Sequence, residues 1–429
     1  MRSVQEQIDY LLRGTLFADE VGAGGEYRPA QDGQTDEIAG LRQQARKELA
    51  ERLEAGRPLR VYLGVDPTAS SLHIGHLVPV LKLKQFQELG HQVVFLIGDY
   101  TGLIGDPSGR SQARKQLTPE TLVEMSRGYE DQVFRILDRD KTEVRRNSEW
   151  LSKLSFKDII ELAALFPLKQ IVARRDFQQR MAQGESLRFH ETLYALMQGY
   201  DAYALNCDVQ VGGYDQHFNL LAGRVIQEAR KQTPQIMLTL PLLPGTDGRK
   251  MSKSYGNTID VADNARDMYG KVMRIEDELI ETYLDLACLL PTEELDRIKV
   301  ELRSGSVNPM VVKKRLSWEV TRLYHGEEAA GEAQETFERL SQRREVPVDE
   351  DIPVREVPVA MSDGKTPWAV VLAELGLVQS RGAARRLMEG GGVKVDGQVI
   401  RDRNAIYDAT SRVMVQYGKR NFVFLEPIH

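Results

Sequence analysis

Hydrophobic positions along this chain recur with two different periods, and each change of period marks an element. Residues 1 to about 18 have helical apolar spacing. Gly22 to Asp36 is glycine-rich and polar and reads as a loop or insertion with no legible chemistry. Ile38 to Leu53 returns to a charged amphipathic helix. Val61, Leu63 and Val65 then alternate as a strand does, Asp66-Pro67 breaks that strand, and Thr68 to Ser71 supply turn residues. From Gly75 the pattern predicts a helix with Leu77, Val80, Leu81 and Phe86 inward, stopping at Gly90. Gln92 to Ile97 follows as the next strand, completing a βαβ unit whose helix start suits a phosphate.

Further on, Thr118 to Leu137 and Phe156 to Gln183 read as helices joined through Arg145 to Leu154. A helix from Leu187 to Leu205, a short strand Val209 to Val211, a helix Asn219 to Lys231 and an apolar run Met237 to Leu243 come next. Residues 266 to 345 are helical and highly charged, and Val346 to Asp363 has the prolines and charges of a linker. After it, Pro367 to Leu375 and Ser380 to Met388 read as helices, and Val393 to Val395, Asp396-Gly397 and Val399 as a hairpin. The expected fold class is α/β, with a doubly wound parallel sheet over 59–265 behind an N-terminal helical region, 1–58, that holds the polar insertion. An α-helical middle domain (266–345), the linker (346–363) and a small α+β domain (364–429) complete it.

Composition narrows the class. Hydrophobic content of 41% and charged content of 28% describe a soluble globular protein, and no apolar run approaches a membrane span. The N-terminus lacks the basic-then-apolar layout of a signal peptide, so the expected location is cytoplasmic, with no membrane partner. With only Cys207 and Cys288, far apart, neither a disulfide framework nor a cysteine zinc site is expected. Net charge is −6, yet residues 364–429 hold ten Lys or Arg against six Asp or Glu. A basic tail on an acidic body points to a polyanionic partner, and Arg381, Arg385 and Arg386 on one helix suit RNA backbone contact.

Chemistry concentrates at five places. His73-Ile74-Gly75-His76 sits at a helix entrance, where two imidazoles and a side-chain-free glycine can meet a nucleotide; a capping histidine and a solvent-facing one are the bland alternative. The loop GDYTGLIGDPSGR, 98–110, offers Asp106 as an ammonium anchor and, with Arg114 beyond it, Arg110 as a phosphate contact. Tyr194, Gln198 and Asp201 fall within about 40° of one line on a helix, a hydrogen-bonding ladder if that face meets a ligand. Gly212-Gly213-Tyr214-Asp215-Gln216 again puts glycines, an acid and an amide at the end of a strand. Lys250 and Lys253, after an Asp247-Gly248 turn, make a cationic loop able to close over a triphosphate.

HIGH at 73–76 and KMSKS at 250–254, about 175 residues apart, are similar to the paired signatures of aminoacyl-tRNA synthetases with a Rossmann-type catalytic domain. With Tyr62, the GLIGDPSGR loop, the Tyr194…Gln198…Asp201 helix and GG-x-DQ, the chain resembles the bacterial tyrosyl-tRNA synthetases over nearly its whole length. Its tail resembles an RNA-binding module shared with a ribosomal small-subunit protein and pseudouridine synthases. The resemblance implies that Tyr62 and Asp201 hold the phenol hydroxyl of L-tyrosine, that Asp106, Tyr194 and Gln198 surround its ammonium group, and that Gln216 lies near its carboxylate. It implies nucleotide contacts at Gly64, Asp66, Gly75, Gly213, Asp215, Arg110, Arg114 and Lys253, and a catalytic set of Thr68, His73, His76, Lys250 and Lys253. It also implies ATP and Mg2+, a tyrosine-specific tRNA, and a homodimer. Leu63, His217-Phe218 and the KMSKS form itself depart from the pattern common in that family. Two other readings compete: a tryptophan–tRNA ligase, which shares both signatures, and a catalytically silent RNA-binding paralogue.

Overall fold

Five parallel strands form the sheet on which the larger part of the chain is built: β1 (Arg60–Val65), β2 (Gln92–Ile97), β3 (Thr142–Arg146), β4 (Val209–Gly213) and β5 (Ile236–Leu240), in the order β3-β2-β1-β4-β5. The structure, a computed structural model, describes residues 2–16, 35–67, 71–108, 118–339, 352, 354–361, 365–408, 411–418 and 421–428. Two compact units divide it, one ending at Gln334 and one beginning at Glu335.

In the first unit, β2 lies almost wholly buried because helices cover both faces of the sheet, as parallel sheets require. The helix Val78–Glu88 crosses from β1 to β2 and buries Val78, Val80, Leu81, Leu83 and Phe86 in the main core. Side chains alternate across the sheet: Val61, Leu63, Val93, Phe95 and Ile97 face that core, while Tyr62, Val94 and Leu96 face the other side. On that other side, the helices Phe189–Leu205 and His217–Ala229 pack tightly. A Cβ on Gly199 would lie 2.9 Å from the backbone of Ala222, so only glycine permits this approach.

Several expectations need correction. The stretch read as a joint through Arg145 contains the edge strand β3, whose sequence TEVRR has no apolar alternation because it is only half buried. Phe156 to Gln183 is not one helix but three, Phe156–Ala163, Leu168–Val172 and Arg175–Ala182; Pro167 cannot continue the first, and the chain turns again at Arg174. The opening helix is Val4–Leu12, after which Leu16 pairs with Thr239 at the edge of β5, its amide 2.8 Å from the Thr239 carbonyl. The helical stretch beyond residue 266 adds Met268, Ile280, Leu284, Leu295, Leu316 and Val320 to the same core as the sheet. The insertion at 22–36 lies outside the described residues, apart from the start of the helix Thr35–Glu54.

The second unit contains the helices Trp368–Glu374 and Arg381–Glu389 and a five-stranded sheet: β6 (Val354–Val357), β7 (Val393–Val395), β8 (Gln398–Val399), β9 (Val413–Tyr417) and β10 (Asn421–Pro427). Asp396 and Gly397 both adopt positive φ, 44° and 83°, as a two-residue hairpin loop demands. The segment read as a linker supplies β6, paired parallel to β10. Trp368, Leu372, Met388, Tyr407, Val415 and Leu425 fill the core of this unit.

Candidate active site

β1 and β4 lie side by side where the strand order reverses, and ligands of such sheets sit beyond the carboxyl ends at that point. Tyr62, on β1, is fully buried against Val94, Leu96, Ala202 and Leu205, and its hydroxyl has no hydrogen-bond partner. Burial, with Cys207 and Asp201 nearby, holds its pKa well above the ordinary phenol value. The helix Phe189–Leu205 brings Tyr194, Gln198 and Asp201 to this side of the sheet, all three buried. The Tyr194 hydroxyl donates to Asp66 at 2.9 Å, and the other oxygen of Asp66 accepts from Thr101 at 2.7 Å. Asp66, expected toward the nucleotide, is thus engaged by side chains on the amino-acid side. Asp201 accepts from the Trp150 indole at 2.7 Å and from Asn147 at 3.2 Å, yet burial pushes its pKa up to about 8. The Gln198 Oε1 atom is buried without a partner.

Two loops meet beside this ladder. Gln216 donates through Nε2 to Asp106, whose second oxygen accepts from the Ser108 amide at 2.9 Å. Asp215, next to Gln216, is exposed, and Gly213 ends β4. Gly64 lies within β1, next to Val65 at its carboxyl end.

The expected helix entrance at Gly75 is a 3-10 turn, Ile74–Leu77, and the α-helix begins at Val78. Within the turn the His73 and His76 rings stack, centroids 3.6 Å apart, and His76 Nδ1 accepts from the His73 amide at 3.3 Å. That acceptor role places the proton of neutral His76 on Nε2. Burial, then His76 and the two lysines, lowers the pKa of His73 to about 3; burial and the same lysines lower that of His76 to about 4. Both rings are neutral donors at neutral pH. A Cβ on Gly75 would stand 3.1 Å from His73 Nδ1, so the glycine keeps room for this ring.

The lysine loop is stitched to the histidine turn through the backbone that follows it. Ile74 N–H donates to the Ile259 carbonyl and Val261 N–H to the Leu72 carbonyl, both at 2.9 Å. Asn257, 2% exposed, holds the loop from inside, donating to Asp247 at 2.7 Å and accepting from the Ser252 amide at 2.8 Å. Met251 is buried as a plug between Lys250 and Lys253, which remain exposed.

The structure therefore brings together Tyr62, Asp66, Asp106, Tyr194, Gln198, Asp201 and Gln216, and separately His73, Gly75, His76, Lys250 and Lys253. Thr68, Arg110 and Arg114 lie outside the described residues. The sequence reading missed Thr101, Asn147, Trp150, Asn219 and Asn257, each of which orients a named residue from another element. Only Asn219 left a signal, three residues after Gln216 on a helix turn. At the amino ends of β1 and β4 a cavity of about 300 Å3 is lined by Arg57, Arg60 and Asp208, but Arg57 already binds Asp208 through two bonds of 2.7 and 2.6 Å. In the second unit, Arg385 and Arg386 are exposed, and Arg381 donates to Glu374 at 2.6 Å.

Comparison with known proteins agrees with this geometry. A family model described as tRNA synthetases class I (W and Y) matches residues 54–342, and one described as the S4 domain matches residues 369–413. A tyrosine–tRNA ligase of Geobacter sulfurreducens is 46% identical over 381 residues, covering 88% of this chain and 94% of the relative. One from Desulfotalea psychrophila is 44% identical over 424 residues, covering 99% of this chain and 98% of the relative. The solved structure of a C-terminally truncated mitochondrial tyrosyl-tRNA synthetase from Coccidioides posadasii is 27% identical, with a TM-score of 0.55 over 68% of this chain and 86% of that one. A sheet that opens at the reversal point, two histidines facing a lysine loop, and near full-length identity to these relatives lead to one assignment: the chain belongs to the class I tRNA synthetases, in the tyrosine–tRNA ligase family.

Proposed function

We propose that this protein activates L-tyrosine with ATP, forming tyrosyl-adenylate and pyrophosphate, and then passes the tyrosyl group to the terminal adenosine of its tRNA. The observation that carries the reading is the buried, unpartnered Tyr62 hydroxyl beside Asp201. A phenol hydroxyl placed between these groups gives the Tyr62 hydroxyl its missing partner, whereas phenylalanine leaves that hydroxyl unpaired. That loss is how such a site rejects the smaller amino acid, and the general account of the selectivity is already known for this enzyme type. Asp106, Tyr194 and Gln198 then take the ammonium group, and Gln216 lies near the carboxylate.

The attack needs no general base, because the tyrosine carboxylate is ionised at neutral pH and adds to the α-phosphorus of ATP. The C–O–P linkage forms as the bond to pyrophosphate breaks, and the electron pair leaves with pyrophosphate. The chain contributes positioning and charge stabilisation: neutral His73 and His76 donate to phosphate and sugar oxygens, and Lys250 and Lys253 neutralise the leaving group. Thr68, Arg110 and Arg114 complete the phosphate contacts, with Gly64, Gly75, Gly213 and Asp215 along the nucleotide. Mg2+ enters with ATP as part of that substrate.

Arg381, Arg385 and Arg386 bind tRNA phosphates in this reading. The protein acts as a homodimer in the cytoplasm; exposed Phe156, Ile160, Leu168 and Phe189 are the apolar side chains that a second copy would cover. Sedimentation of the full chain as a single copy would overturn the dimer. Among the described residues no helix is long and apolar enough to cross a membrane. Pyrophosphate exchange tests the function: the expected result is ATP labelling with tyrosine and little with tryptophan or phenylalanine. Exchange with tryptophan alone would move the assignment to the tryptophan enzyme, and none with any amino acid would favour a silent paralogue.

A further inference from the structure

Arg174 lies at the break between two short helices, 8% exposed, and none of the roles assigned above involves it. Its guanidinium is packed between the rings of Phe177 and Phe218, 4.8 and 5.1 Å from their centroids. Its hydrogen bonds go to protein side chains, with Nε donating to Asp176 Oδ1 at 3.4 Å. Nη1 donates to Asn219 Oδ1 at 3.2 Å, Nη2 donates to the Ser108 hydroxyl at 2.8 Å, and Asp176 accepts from Nη2 at 3.1 Å. Asn219 is fully buried and passes the chain on, donating through Nδ2 to Gln216 Oε1 at 2.9 Å. Gln216 in turn donates through Nε2 to Asp106, and the Ser108 amide donates to the other oxygen of Asp106.

The direction of every bond in this chain follows from its first member. A guanidinium can only donate, so it fixes which end of the Asn219 amide faces it. The Asn219 amino group must then point to Gln216, whose carbonyl accepts it, and the Gln216 amino group is left for Asp106. With Asn219 reversed, Gln216 would turn its carbonyl oxygen toward a carboxylate, and acceptor would face acceptor. We infer that Arg174 is a positioning residue that, through Asn219, sets the amide polarity of Gln216 and thereby the orientation of the Asp106 carboxylate that receives the amino group of the substrate.

This inference rests on the tyrosine reading of the site, and its test separates the two. Asn219→Asp keeps an acceptor beside Arg174 and nearly the same shape, but it can no longer donate to Gln216. Arg174→Met removes the source of the polarity, and Arg174→Lys restores the charge with some of the donors. Binding of tyrosine, and of 3-(4-hydroxyphenyl)propionate, which lacks the amino group, is measured by equilibrium titration, with wild-type exchange activity as the control for the function itself. Asn219→Asp is expected to weaken tyrosine binding about tenfold, as loss of one well-placed hydrogen bond to a charged group does. The same variant should change the affinity for the propionate less than twofold and leave the ATP KM near wild type, while its unfolding midpoint falls because the new carboxylate is buried against an acceptor. Arg174→Met should show the same selective loss, and Arg174→Lys should recover part of it. Equal weakening of both ligands, or no weakening of tyrosine by Asn219→Asp, would overturn the inference, even if Arg174→Met fails to fold.

Discussion

Asp201 is enclosed by protein and still receives two donors, Trp150 and Asn147, so burial and hydrogen bonding pull its titration in opposite directions. Burial wins, raising its pKa from 3.8 to about 8. Between those values the folded protein keeps a proton that the unfolded chain releases. The stabilising contribution of Asp201 is therefore complete below the unfolded value and is lost as pH rises through about 8. His73 and His76 act with the opposite sign, since their lowered values favour the folded state above 6.5. Comparing Asp201→Asn with wild type cancels the histidines. The unfolding midpoint of wild type minus that of the variant, without tyrosine, should fall as pH rises from about 5 to about 8.5; a flat difference would contradict the burial argument. Tyr62→Phe removes a buried hydroxyl that has no partner, so the empty protein should be as stable as wild type or more so. Tyrosine binding should weaken about tenfold, and discrimination against phenylalanine in the exchange assay should shrink. At this scale the sequence was legible for the buried polar residues that the fold gathers on one side of the sheet, Tyr62, Tyr194, Gln198 and Asp201 among them. Their partners were not, because Trp150 and Asn147 reach Asp201 from elements that only folding brings beside it.

The lysine loop shows what a motif conveys and what it leaves out. KMSKS names two cations, but their proximity to the stacked histidines depends on the pairing of residues 72–74 with 259–261 and on Asn257 inside the loop. Lys253→Ala should slow adenylate formation about a hundredfold, as removal of one group that stabilises developing charge does. Tyrosine affinity should stay near wild type, and equilibrium titration beside single-turnover kinetics checks both; a large loss of tyrosine binding would contradict the assignment. Element types were readable where apolar periodicity was strong, as in β1, β2 and the helix Phe189–Leu205. They were not readable where exposure removes the pattern. The charged edge strand β3 and the parallel strand β6 in a proline-bearing stretch both gain their form from a neighbour's backbone.

Within the whole molecule, one continuous core runs from Ile8 through the sheet to Val320, and a second, separate core forms around Trp368 and Tyr407. Deleting residues 351–429 leaves the first core untouched. The truncated protein should form tyrosyl-adenylate at close to the wild-type rate but charge tRNA poorly; a filter assay of charged tRNA checks it, and undiminished charging would remove the proposed role of the basic helix. The sequence by itself determined the α/β class, the two signatures, the Tyr194, Gln198 and Asp201 helix face and the basic C-terminal module, because periodicity, composition and motif spacing are local properties of a chain. Tertiary structure alone decided that residues beyond 266 share the core of the sheet, that Asp66 binds Tyr194, and that Arg174 reaches Asp106 through Asn219 and Gln216. Burial and hydrogen-bond direction depend on which distant segments become neighbours, and no local pattern encodes that choice.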